Sequence, residues 1–182
     1  MNWINKTLVI TILTATATCG GGPVIENTDS QLGMAAGRLF YQGKPFTGQL
    51  RTTIVAVNEV ELTSYKDGVE HGESTVHTLN GTLVAQREYR NGSKHGLHRV
   101  WFPNGNLRAY QRFNNGQNIG QAWLWFEDKK PAEFKMYGRS GEILAAKMWR
   151  RTGQIYLNYV FENGGSIGMP GSKVCDPVGE TK

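Results

Sequence analysis

The chain has 182 residues, 39% of them hydrophobic and 19% charged, which is enough apolar content to fold and enough length for one domain or one short repeat array. Its net charge of +5 comes without a dense Lys/Arg block, "KMWRR" at 147–151 being the nearest, so no nucleic-acid partner is expected. Glycine is the outlier, 23 residues spread along the chain rather than clustered, and that points to many turns.

The first element is a leader. "MNWINKTLVITILTATATCGGG" sets Lys6 before an uncharged, largely apolar run from Thr7 to Ala17. About 11 residues are too few for a bilayer span, which needs about 20, and fit the apolar region of a secretory signal peptide at 1–18. Two processing routes follow. Cleavage after Ala15-Thr16-Ala17 frees a soluble periplasmic or secreted chain. Alternatively "TATC" before "GGG" resembles a bacterial lipoprotein signal, with Cys19 as the lipid-bearing first residue and the membrane as a partner, although Thr16 and Thr18 depart from the usual residues. The lipoprotein route is favoured. It would leave Cys175 an unpaired thiol, whereas the soluble route lets Cys19 and Cys175 form a disulfide in an oxidising compartment. Residues 19–37 then read as a flexible tether.

A repeat follows over 38–164. Tyr41, Tyr65, Tyr89, Phe113 and Tyr137 are each 24 apart, and Gly68, Gly92 and Gly116, then Gly72, Gly96 and Gly120, then Gly81 and Gly105 keep the same interval. A half-period of 12 places His77, Trp101, Trp125 and Trp149 midway, and Phe161 closes the row. Units of 12 residues ending in Asn-Gly or another Gly-bearing turn, with apolar residues alternating between turns, signal consecutive β-hairpins. No helical period runs through this region. The prediction is an all-β, open antiparallel meander, a single twisted layer of about 10 or 11 short strands. The Gly/Pro-rich tail, 165–182, ends the array, and either covers the last strand edge or leaves it open for strand addition.

The phrase "Y-x-x-G-x-x-x-G … W/F-x-x-x-G-x-L" resembles the MORN repeat, in the bacterial variant grouped as YwqK-family antitoxin-like proteins, and "LFYQGKPFTGQL" at 39–50 resembles its opening unit. The resemblance covers about 38–164. Asp128-Lys129-Lys130 in place of Asn-Gly, Ile119 in place of His, and the closing 12-residue units depart from it. It implies a twisted single-layer sheet and no established biochemical activity.

Residues two strands apart stand about 9.5–10 Å from each other. His71 and His95, in equivalent places, are therefore too far apart to share one zinc ion at about 2 Å per bond, and no metal or cofactor is expected. The indoles carry more weight. Trp101, Trp123, Trp125 and Trp149, with Arg99 beside them, form a candidate binding face for sugar rings or a partner's side chains, or else cover glycine-thinned backbone. Two-residue loops would put this row on the face opposite the Tyr41–Phe161 row. "GGSIG" at 164–168 formally matches a nucleophile elbow around Ser166, but Gly168, Pro170 and Gly171 leave no helix to follow it, and no catalytic residue is assigned. The leading expectation is a non-enzymatic, lipid-anchored envelope protein serving as an interaction platform for a protein or an envelope polysaccharide. The alternatives are an antitoxin or immunity-type protein neutralising a toxin, and an enzyme acting on wall polysaccharide.

Overall fold

The computed structural model describes residues 22–162 and 165–169. In chain order the strands are β1 (Val24–Glu26), β2 (Leu32–Ala35), β3 (Arg38–Tyr41), β4 (Lys44–Pro45), β5 (Gly48–Ile54), β6 (Glu59–Lys66), β7 (Val69–Thr78) and β8 (Leu83–Arg90). They continue as β9 (Ser93–Trp101), β10 (Leu107–Asn114), β11 (Gln117–Asn118), β12 (Gly120–Trp125), β13 (Pro131–Tyr137), β14 (Ile143–Trp149), β15 (Ile155–Glu162) and β16 (Gly165–Met169). A 3₁₀ turn, Val55–Val57, joins β5 to β6. The architecture is all-β. A 13-stranded sheet runs β1-β5-β6-β7-β8-β9-β10-β12-β13-β14-β15-β16, with β11 paired to β10, and does not close on itself. Setting aside β1 and β11, the remaining eleven strands follow one another as the expected antiparallel meander.

The register explains the periodicity. Glu61↔Val76, Ala85↔Val100, Ala109↔Leu124 and Glu133↔Met148 are facing pairs that recur 24 residues apart. So are Val76↔Ala85, Val100↔Ala109, Leu124↔Glu133 and Met148↔Leu157 on the other side of each strand. Two loop designs keep this metre. At one end, Asp67-Gly68, Asn91-Gly92 and Asn115-Gly116 have φ > 0 at both residues, the geometry of a two-residue type I′ turn. Each is followed by a bulge containing Gly72, Gly96 or Gly120, where the longer strand gains two residues. At the other end the loops contain three residues. Phe102 N–H donates to Asn106 O at 2.8 Å and Gly105 N–H to Phe102 O at 2.9 Å, and the loops 78–82, 126–130 and 150–154 repeat this pattern, as does 138–142 at the first end. A one-residue bulge follows at Val84, Arg108, Ala132 and Tyr156. Two loop residues plus two bulge residues consume the same length as three plus one, so inward and outward alternation is never lost.

The glycines and aromatics recur together for a packing reason. Tyr65 faces Gly48, Tyr89 faces Gly72, Phe113 faces Gly96 and Tyr137 faces Gly120 on the neighbouring strand. A ring laid over a side-chain-free position covers backbone that a single layer would otherwise expose. The turns also stack: Gly68 N–H donates to Phe46 O, Gly92 to Glu70 O and Gly116 to Lys94 O, each at 2.8 Å.

Three features depart from the expected single antiparallel layer. β1 pairs in parallel with β5, and β2-β3-β4 form a separate three-stranded sheet, so the stretch expected as a tether is folded from Val24 onward. This small sheet caps the β6–β7 turn through Leu39 N–H to Gly68 O at 2.8 Å and Arg38 Nη1 to Asp67 O at 2.7 Å. Tyr41 consequently lies in the small sheet, linked to the aromatic row of the large one through Phe46. At the other end β16 pairs with β15, so residues 165–169, expected as tail, extend the meander by one strand.

The buried side chains of the large sheet, Thr63, Ser74, Val76, Ala85, His98, Phe113, Ala122 and Ala146, share one face by register, and Val84 joins Val76 and Ala85 from its bulge. This is the inner face; the opposite one is the outer face.

Candidate functional site

The loop parity settles how the two aromatic rows are disposed. Tyr65, Tyr89, Phe113, Tyr137 and Phe161 stand on the inner face, while His77, Trp101, Trp125 and Trp149 stand on the outer face, because each twelve-residue step crosses to the next strand with reversed parity.

The inner row is interleaved with residues that the periodicity did not single out. Phe46 lies 6.1 Å from Tyr65 between ring centroids, and His98 lies 5.6 Å from Tyr89 and 4.6 Å from Phe113. His98 is 7% exposed and its Nε2–H donates to Glu88 O at 2.8 Å. Burial, with nearby Lys94 and Arg87 adding to it, holds its pKa below the ordinary histidine value despite that hydrogen bond. Next to it a polar network spans three strands. Thr63 Oγ1 donates to Ser74 Oγ at 3.0 Å, Ser74 Oγ donates to Glu61 Oε1 at 3.1 Å, and Arg87 Nη1 donates to the same oxygen at 3.0 Å. Ser74 is 1% exposed, so this network satisfies a hydroxyl that could not otherwise be buried. Glu70 sits nearby, its pKa raised by burial and by Glu61. Two carboxylates of this face are paired: Glu61 of β6 with Arg87 across β7, and farther along Glu133 with Lys135 two residues on in the same strand.

The outer face is built differently. By facing pairs, one continuous row crosses the sheet as Gln86, Arg99, Tyr110, Trp123, Phe134, Lys147, Asn158. Trp123 is the hub. Its ring lies 4.6 Å from Phe134, 5.8 Å from Trp125 at an interplanar angle of 13°, and 6.3 Å from Trp149 at 17°. Three near-parallel indoles from two strands thus form one cluster, with Trp123 Nε1–H held by Gln121 Oε1 at 3.2 Å and Lys147 Nζ 5.9 Å from the Trp149 centroid. Tyr110, Phe134 and Lys147 were not foreseen, although Arg99/Trp123/Lys147 and Tyr110/Phe134/Asn158 are columns of the 24-residue repeat.

Not every candidate joins this cluster. Trp101 stands apart from the indole stack and lines a cleft of about 430 Å³ together with Val76, Ala85, Val100, Pro103 and Arg108. His71 turns to its own neighbourhood, receiving the Asn91 backbone N–H on Nδ1 at 3.4 Å. Among the described residues no three His, Cys, Asp or Glu side chains come together as metal ligands. Ser166 lies within β16, paired with Phe161 and flanked by strand on both sides rather than by a strand and a helix. The leader, Cys19 and Cys175 lie outside the described residues.

Compared with known protein families and with curated proteins, the chain matches none. Among solved structures it is similar to the crystal structure of TarM at 17% identity and a TM-score of 0.33, over 60% of this chain and 21% of TarM. This chain therefore corresponds to about a fifth of that protein's length, and a likeness so distant carries no functional argument.

Proposed function

We propose that this chain is a non-enzymatic envelope protein whose repeat array serves as an interaction platform, presenting its outer face to another macromolecule. The observation that carries the reading is the near-parallel stack of Trp123, Trp125 and Trp149 against Phe134, gathered on the face of the sheet opposite its buried residues. Large rings on the less buried side of a single layer give contact area at low entropic cost. The polar network of the inner face supports the non-enzymatic part: the Ser74 hydroxyl and Arg87 are both engaged with Glu61. The leader, with Cys19 as lipid attachment point, supports the envelope location.

Photo-crosslinking in the native cell tests this. A photoreactive residue at Gln121 or Asn158, both exposed on the outer face, is expected to give a defined adduct that disappears in Trp123→Ala. Adducts only from the inner-face position Phe161, or outer-face adducts unchanged by Trp123→Ala, would refute it.

A further inference from the structure

The outer face differs from the inner one in its charges as well as its rings. Across β9, β10, β12, β13 and β14 it carries Arg99, Arg112 and Lys147, and no Asp or Glu. On the inner face Arg87 and Lys135 are neutralised by Glu61 and Glu133, whereas among the described residues neither Arg99 nor Lys147 is in an ion pair. Arg99 is only loosely held, its Nη1 lying 3.4 Å from Gln86 Oε1. These two cations stand in one facing row, with Tyr110, Trp123 and Phe134 between them. Four strand steps separate them, about 19 Å at the usual strand spacing.

We infer that the occupant of this strip is an acidic polysaccharide lying across the strands, its sugar faces on Tyr110, Trp123 and Phe134 and its carboxylates at Arg99 and Lys147. This rests on the platform reading above and gives it a partner class. The C–H faces of a pyranose carry slight positive charge and meet the negative face of an aromatic ring, and rings delivered one per strand recur at a spacing comparable with one sugar. An unpaired cation at each end of the strip, with no carboxylate on the outer face of the intervening strands, favours an anionic chain over a neutral one. Single-stranded nucleic acid also stacks on aromatics, but it places a charge on every nucleotide and is met by a basic track along its backbone. Here the row holds three uncharged rings between its cations. A protein partner would seek a desolvated pocket for its anchor residue, and the row is a strip of side chains along the sheet.

The test is a tryptophan-fluorescence titration of the full chain with polygalacturonate, with neutral dextran, and with oligo-dT. Polygalacturonate is expected to bind, more weakly as salt rises from low to physiological strength, and dextran to bind at least tenfold more weakly. Arg99→Gln and Lys147→Gln should each cost about threefold and together about tenfold. Arg99→Lys should restore most of the first loss, and Trp123→Ala should cost about tenfold or more. Unchanged thermal unfolding of the Gln variants confirms that folding is not the cause. Equal affinity for dextran, tighter binding of oligo-dT, an unaffected double Gln variant, or no binding of any polymer would each overturn the inference. The platform reading itself survives those results as long as the outer-face crosslinks at Gln121 and Asn158 persist, so the two failures are distinguishable.

Discussion

Lys129 occupies a position that four sister loops give to glycine. Gly81, Gly105, Gly141 and Gly153 sit there with φ between 82° and 90°, and Lys129 is held at φ 68°. A residue with a Cβ in this left-handed region costs about 1–2 kcal/mol. Replacing it with glycine also adds unfolded-chain entropy, worth about 0.5–1 kcal/mol in the opposite direction. The Lys129 side chain makes no hydrogen bond or ion pair among the described residues, its neighbours Asp128 and Lys130 pairing with each other at 3.2 Å. Lys129→Gly should therefore stabilise the fold by about 0.5–1 kcal/mol, which moves a urea midpoint up by about 0.25–0.5 M for a slope of about 2 kcal/mol per M. Tryptophan fluorescence is the natural readout, because the loop directly follows the β12 strand that carries Trp123 and Trp125. The reciprocal change, Gly105→Lys, should lower the midpoint by a similar amount, since a Cβ at Gly105 meets nothing within 4 Å and only the backbone term remains. A lowered midpoint in Lys129→Gly, or an unchanged one in Gly105→Lys, would refute the reasoning that backbone conformation alone selects the residue there.

Gly68→Ala and Gly116→Ala alter equivalent turns with unequal surroundings. A Cβ at Gly68 would lie 2.7 Å from Leu39 O, in the cap formed by the small sheet, whereas at Gly116 it meets nothing within 4 Å. Chemical denaturation should show a loss of about 1 kcal/mol for Gly116→Ala and at least about twice that for Gly68→Ala. Glu61→Ala leaves Arg87 and the buried Ser74 hydroxyl without their shared acceptor, and should cost about 1–3 kcal/mol in the same assay. His98 is held neutral, its folded pKa depressed, so its contribution is fully present above the ordinary histidine value near 6.5 and is lost as pH falls toward the depressed folded value. Unfolding free energy measured across that window should fall with acidification in the parent chain, and His98→Gln should flatten that part of the slope.

The metre of the chain was readable because turn chemistry is local. Asn-Gly and Asp-Gly select type I′ geometry wherever they stand, and their spacing alone predicted a meander whose strands follow in chain order. What the spacing could not supply was the bulges, because a two-residue insertion near Gly72, Gly96 or Gly120 shows only in pairing with the neighbouring strand. The distribution of rings over two faces depends on those bulges, and so it stayed conditional in the sequence. The opening sheet was missed for a related reason. β1 is only three residues long, and β5 supplies its ladder partners some 25 residues away, a relation with no local signature. Phe46 and His98 fall outside the repeated columns, yet they fill the gaps between columns. In the candidate face the indoles were legible by type, while Tyr110, Phe134 and Lys147 needed the register to reveal that they flank Trp123 on adjacent strands.

The equal chain length consumed by the two loop designs bears on how such an array can grow. A duplication copying residues 85–108 in frame would insert one whole hairpin module and leave every later partnership as it was, because the facing pairs already recur at that interval. A copy one residue shorter would send each downstream side chain to the wrong side, placing indoles where alanines now pack and exposing the alanines in their stead. An array so built is expected to accept or lose whole hairpin modules far more readily than fractions of one.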